Sequence, residues 1–224
     1  MPHTEAGHHR SVKAELEDIV RTAKRTVPGC SFASFSQRRA KGDVETLAAT
    51  DAEALILDHL QYNLGDGPGL AALFSNEVVL VPDVASEARW PDFARQAGRV
   101  VGSVLSTPIP DESRPSHALG SLNIYGVASD AFDAESSETA ALLAAHVGVL
   151  MSLSTTIEQL QYALEARDVI GQAKGMLMER QNLTPEAAFD VLRRTSQRMN
   201  RKLRDVAADL TEQASQPTTP TSTA

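Results

Sequence analysis

The spacing of apolar positions changes along the chain, and the changes divide it into segments. Residues 11–26 place Val12, Leu16, Ile19, Val20 and Ala23 on one side at helical spacing, and Pro28-Gly29 ends that run. Residues 30–37 (CSFASFSQ) and 44–49 have the small, aromatic and β-branched character of strands. Lys41-Gly42-Asp43 between them predicts the turn of an antiparallel hairpin. A helical stretch over 52–64 runs into Gly65-Asp66-Gly67-Pro68-Gly69, where glycine density marks a tight loop, and a short helix is expected near 70–74. Apolar runs at 78–81, 99–109 and 119–125 complete the strands, with a tryptophan-bearing segment at 90–97.

After Asp133, the expected N-cap, helical periodicity holds until the turn at Gln181-Asn182-Leu183. Within it Leu143, His146, Leu150, Leu153, Ile157, Leu160 and Leu164 recur at alternating spacings of 3 and 4, a heptad seam that predicts a coiled-coil homodimer. The alternative is a helix packed onto its own domain. His146 in that seam reads as a polar register residue rather than a metal ligand. Thr184-Pro185-Glu186 is a helix start in which threonine caps, proline takes the first turn and glutamate favours the positive dipole end. A last helix with Leu203, Val206, Ala207 and Leu210 closes a small bundle with Ile170, Leu177, Phe189, Val191 and Leu192. The fold class is α+β, an antiparallel sheet flanked by helices, then a long linker helix running into an all-α three-helix bundle. Residues 1–10 and 214–224 are expected to be disordered.

Composition narrows the function classes. With 42% hydrophobic and 22% charged residues in 224, the chain is soluble and can bury a sizeable core. Its single cysteine, Cys30, excludes an internal disulfide, a four-thiolate metal site and any redox cycle that needs two thiols in one chain; a reducing cytoplasmic compartment is expected. The start, MPHTEAGHHR, is no secretory signal, and the uncharged stretch 139–157 carries His146, Ser152, Ser154, Thr155 and Thr156, too polar for a spanning helix. No membrane segment, metal site or cofactor is expected. Nucleophile-elbow, phosphate-loop and zinc-protease motifs are lacking, so no enzymatic activity is expected.

The net charge of −8 is unevenly spread. Residues 167–212 hold nine Lys/Arg against seven Asp/Glu, and 193–204 hold six basic residues and no acid. If a helix continues through that stretch, Arg194, Arg198 and Arg201 make one positive stripe at i, i+4, i+7. The alternative is a solvated face neutralised by Asp190 and Asp205. Ser196 and Asn200, one turn apart, either reach base edges and sugar hydroxyls or cap the break before the last helix. Between 166 and 210 the only aromatic is Phe189, which argues against an aromatic stacking platform there.

Residues 166–210 resemble the ANTAR domain, an RNA-binding output module, through Ala173-Lys174-Gly175 with Leu177-Met178, then Ala188, Leu192-Arg193 and Ser196, then Asn200, Lys202-Leu203 and Val206-Ala207. Upstream, LQYNLGDGPGLAAL (60–73), VPDVASEARWPDF (81–93), SVLSTPI (103–109) and LGSLNIYG (119–126) are similar to the GAF sensor domain. Together they resemble a GAF–ANTAR transcription antitermination regulator of the actinobacterial type, with a GAF-like domain over 11–152, a coiled-coil linker over 153–165 and the ANTAR bundle over 166–213. The resemblance implies that a dimer binds paired hairpins in nascent mRNA in response to a ligand or other signal. The RNA-binding residues would be Ala173, Lys174, Gly175, Arg193, Arg194, Ser196, Arg198, Asn200, Arg201, Lys202 and Arg204, and the dimerisation residues Leu143, Leu150, Leu153, Ile157, Leu160 and Leu164. The competing reading is a small-molecule sensor whose helical C-terminal domain binds a protein. The GAF ligand is not named by the sequence: Asn123 is followed by Ile124, and Phe132 by Asp133-Ala134-Glu135, which departs from the cyclic-nucleotide pattern of that family. Gly69 stands where relatives of this type carry a cysteine, and Cys30 reads as core packing before it reads as a thiol sensor.

Overall fold

The computed structural model describes residues 3–39, 42–111 and 113–215. Lys41 of the predicted hairpin turn lies outside them, as do residues 216–224 of the tail expected to be disordered; residues 214–215 of that tail instead belong to the last helix. The chain divides after Ser154 into two compact units.

The first unit is built on a five-stranded antiparallel sheet of order β2-β1-β5-β4-β3. Its strands are β1 (Phe32–Arg38), β2 (Val44–Ala49), β3 (Val79–Val81), β4 (Ser103–Pro110) and β5 (Ala118–Gly126). Strand alternation sorts the side chains. One face presents Ala33, Phe35, Leu105, Ile109, Leu122 and Ile124, which pack with Leu16, Val20 and Ala23 of α1 (His3–Thr26) and with Val27 just after it. Ala140, Ala144 and Val147 of α5 (Ala134–Gln181) complete that core. The other face presents Val79, Val81, Val104 and Tyr125, which pack under α2 (Ala52–Leu64), α3 (Pro68–Ser75) and α4 (Pro91–Ala97) through Leu57, Ala72 and Phe93.

Local chemistry explains the boundaries. Asp133 starts α5, accepting the Ser136 backbone N–H at 2.9 Å and the Ser136 hydroxyl at 3.0 Å; the N–H above all holds its carboxyl below the usual carboxylate range. Asn182, in the left-handed region at φ 51°, turns the chain out of α5. The Thr184 hydroxyl then caps α6 (Pro185–Met199) by accepting from the Ala187 N–H. The second unit closes with α7 (Leu203–Ser215).

One further expectation changes. Residues 3–10, expected to be disordered, belong to α1, because a helix already formed over 11–26 gains one backbone hydrogen bond for each residue added and only Gly7 strongly opposes its growth. Residues 153–165, expected as a linker helix, are the middle of α5, which runs unbroken as the helical periodicity after Asp133 implies. That helix contains an 18-residue window apolar enough, by length and composition alone, to cross a membrane. Ala140, Ala144 and Val147 of that helix pack into the core of the first unit.

Candidate nucleic-acid interface

The second unit is held by a small core. Ala173, Ala188 and Ala207, one from each helix, are fully buried, and Leu177 and Leu192 pack beside them. Three alanines in contact let the helix backbones approach closely, which leaves the longer side chains to the outside. Ala173 therefore presents no surface to a partner, and the exposed part of its motif is half-buried Lys174 and open Gly175, where an added Cβ would meet nothing within 4 Å.

The break between α6 and α7 decides where the arginines go. Asn200 adopts the left-handed conformation at φ 50° and its N–H closes α6 on the carbonyls of Gln197 and Ser196. The Ser196 hydroxyl donates to the Arg201 carbonyl at 2.6 Å, so Ser196 and Asn200 both form the joint. Arg201 is thus off the helix, and the expected stripe stops at Arg198. Instead Arg201 pairs with Asp209 at 2.5 Å, which holds the Asp209 carboxyl below its ordinary value. Arg193 pairs with Asp190 at 2.9 Å and Arg204 with Glu165 at 2.7 Å. Exposed Arg194 and Arg198 make no ion pair among the described residues, and neither does Lys174. Lys202 has an aromatic neighbour: its ammonium lies 5.7 Å from the ring centre of Tyr162, and the Arg204 guanidinium 4.6 Å from the same ring.

In the first unit, the sheet face under α2 and α3 is polar at its centre. Asp58 of α2 is fully buried and accepts from the Tyr125 hydroxyl at 2.5 Å, from the Thr46 hydroxyl at 2.7 Å and from the Asn123 amide at 3.2 Å. No cation joins this set, and burial outweighs the donors, so the carboxyl is raised above the ordinary carboxylate range. Gln61 donates to the Tyr125 hydroxyl at 3.0 Å and accepts the Gly69 N–H at 2.7 Å, tying the glycine loop to the sheet. An added Cβ at Gly69 would come within 2.7 Å of Asn123 Oδ1. That oxygen and the hydroxyls of Ser106 and Ser121 are buried without a hydrogen-bond partner.

The comparisons with known proteins follow this division. The profile of the GAF domain matches residues 9–152 and that of the ANTAR domain residues 158–210. The chain belongs to the GAF domain family and carries an ANTAR domain after it. Among solved structures, the GAF domain region of a protein from Geobacter sulfurreducens PCA is 13% identical, with a TM-score of 0.55 over 66% of this chain and 97% of that one. The type II free methionine-R-sulfoxide reductase from Thermoplasma acidophilum is 19% identical, with a TM-score of 0.53 over 64% and 94%. Both carry the fold and nothing of the chemistry. No curated protein matches the chain.

Both domains are regulatory types. Tyr162 and Glu165 lie inside the ANTAR match but ahead of the bundle as read from the apolar spacing, which begins at 166, so their contacts with Lys202 and Arg204 went unseen in the sequence. Cys30 of the GAF domain donates to the Phe32 carbonyl at 3.4 Å, and burial pushes its thiol up to about 12. Along α5 the apolar seam shifts register: Leu143 and Leu150 pack against the GAF core, whereas Leu142, Val149, Leu153, Ile157, Leu160 and Leu164 are exposed. Leu143 and Leu150, the two seam residues expected for dimerisation in the GAF half, therefore pack on their own domain, and Leu142 and Val149 lie on the open face.

Proposed function

We propose that the protein is a signal-responsive transcription antitermination regulator in which the GAF domain receives a ligand and a dimer of ANTAR domains binds paired hairpins in nascent mRNA. The observation that carries this reading is the set of cations on the ANTAR domain that make no ion pair among the described residues: Lys174, Arg194, Arg198 and Lys202, with Arg167 and Arg180 on α5, on a chain of net charge −8. Phosphate contacts fall to these unpaired cations, Lys174, Arg194, Arg198 and Lys202 above all, while Arg193, Arg201 and Arg204 exchange a carboxylate for RNA only at a cost. Tyr162 beside Lys202 and Arg204 adds one aromatic surface for an unpaired base. Nascent transcript places the activity in the cytoplasm. Dimerisation through the exposed face of α5 ties two ANTAR domains together and raises the effective concentration of the second on a two-hairpin target.

The test is a titration of the full chain against a two-hairpin leader RNA, a loop-scrambled control and duplex DNA at two salt concentrations. The Lys174→Ala/Arg194→Ala/Lys202→Ala variant runs in parallel. Loop-dependent binding that the variant loses, with a shallower salt dependence, is the expected result. Equal weak binding to all three nucleic acids would sink it.

A second reading rests on one feature. Leu177, Val191, Leu192, Thr195, Met199 and Leu210 line a groove of about 220 Å³ on the bundle, with Val191 and Met199 exposed. A protein partner seated there would survive nuclease treatment and be lost in Val191→Asp, whereas RNA binding would be indifferent to that change.

A further inference from the structure

The joint between α6 and α7 brings two cations to one ring of α5. Asn200 and the Ser196–Arg201 bond turn the chain so that α7 begins at Leu203, which packs toward the alanine core. Lys202 and Arg204, on either side of Leu203 in sequence, come instead to Tyr162: the ammonium lies 5.7 Å and the guanidinium 4.6 Å from the ring centre. Glu165, three residues beyond Tyr162 and so on the same side of α5, accepts from Arg204 Nη2 at 2.7 Å. All four residues belong to the second unit.

Charge does not single this place out, because three acids accompany the two cations along these helices: Glu158 one turn before Tyr162, Glu165, and Asp205 next to Arg204. The ring does. Residues 155–212 hold two aromatic side chains, Tyr162 and Phe189, exposed by 43% and 41%. Of the two, Tyr162 alone has a cation over its ring among the described residues. A tyrosine with nearly half of its surface open adds little to a core, and the π-face that attracts a cation is the face on which a nucleobase stacks. The Arg204–Glu165 pair that keeps the guanidinium there is part-exposed, the side chains by 29% and 55%, so a phosphate displaces the carboxylate at small cost.

We propose that Tyr162, Lys202 and Arg204 form a subsite for one unpaired nucleotide of the RNA. The base stacks on the Tyr162 ring in place of the Arg204 guanidinium, and Arg204 passes from Glu165 to the phosphate of the same nucleotide, with Lys202 beside it. The inference rests on the RNA-binding reading and deepens it: one stacked base tells a loop from a paired stem, whose bases are not free to leave their stack. The spacing within 166–210 holds no stacking platform, and α5 supplies one from a turn ahead of that stretch.

The experiment titrates the full chain with a two-hairpin leader RNA and with a series of the same RNA in which one loop nucleotide at a time is abasic. One abasic position is expected to weaken binding by the parent about tenfold. Tyr162→Ala is expected to bind the intact RNA about tenfold more weakly and to lose nothing further at that position, a coupling that a merely structural role would not produce. Tyr162→Phe, which keeps the ring, and Phe189→Ala are both expected to keep the parent's penalty there. Glu165→Gln is expected to bind the intact RNA about threefold more tightly. Intact-RNA binding unchanged in Tyr162→Ala, or an abasic penalty that persists undiminished in it, would overturn the subsite and leave the antitermination reading standing; an affinity in Glu165→Gln no greater than the parent's would overturn the exchange at Arg204. Failure of the parent to prefer the hairpins over the loop-scrambled control would sink the antitermination reading instead. The subsite is then judged on oligoadenylate against an abasic strand of equal length, and equal binding of these two by the parent would overturn it as well.

Discussion

The two domains spend their buried side chains differently. The GAF sheet is sandwiched between two extended cores, with Phe35, Phe93, Leu122 and Ile124 almost wholly inside, and it also encloses a charged network around Asp58. The ANTAR bundle is held by three alanines and two leucines, with a rim of half-buried residues such as Ile170 and Leu203. A domain with layered cores can carry within it a buried carboxyl group held by hydroxyl and amide donors. A bundle with so little core keeps its polar groups outside, where they are free to meet a partner.

The sharpest way to test this difference is to damage each core. Phe93→Ala is expected to cost about 3–5 kcal/mol, read as a lower denaturant midpoint of the GAF transition. Leu192→Ala is expected to cost about 2–5 kcal/mol. In the ANTAR bundle that is enough to abolish folding, so amide protection should vanish over 158–210 while persisting over 9–152. Retained protection in both stretches would show that the bundle is stabilised by more than its few buried residues.

Next in size is the exposed face of α5. Leu153→Glu with Leu160→Glu places two charges on it and is expected to give a monomer in sedimentation, with hairpin affinity reduced by the loss of the linked second site. An unchanged mass would mean that this face is not the dimer contact.

A smaller effect, distinctive in sign, concerns Asp58. Its raised pKa means that the folded protein keeps this proton to higher pH than the unfolded chain does. The corresponding stability is fully present below about pH 4 and is lost as pH rises through the folded value. Asp58→Asn is therefore expected to gain stability over the parent as pH is raised from about 4 to 8, compared by denaturant midpoints. Asp133 works in the opposite sense, its depressed carboxyl losing stability as pH falls, and contributes equally to both proteins. The smallest expected effect is at Cys30: with its thiol pushed up to about 12 it should resist alkylation in the native state at pH 8 and react only on unfolding.

Much of this could be read from residue order, because local chemistry set it. The apolar strand run at 119–125, the Thr184 cap and the Asp133 start all depend on neighbours in sequence, and each appears in the structure. What escaped depends on residues far apart or on a single conformational choice. Arg201 leaves the expected stripe because Asn200 takes a left-handed conformation, a possibility open to asparagine but not imposed by it. Tyr162 meets Arg204 across 42 positions, outside the reach of any periodic pattern. Asp58 looks like a surface acid until its spacing from Ala54 and Gln61 sets it on the inward side of α2, and its partners come from β2 and β5. The tyrosine hydroxyl that receives it lies 67 residues away.

The ends of the GAF sheet have a consequence for behaviour at high concentration. One edge strand, β3, is three residues long, and the other, β2, carries Glu45 in an ion pair with Arg39 just beyond β1. Neither margin offers a long uncharged backbone ladder on which another chain could add a strand. The domain is thereby protected against edge-to-edge aggregation, and crowding should leave it soluble even when its signal is absent.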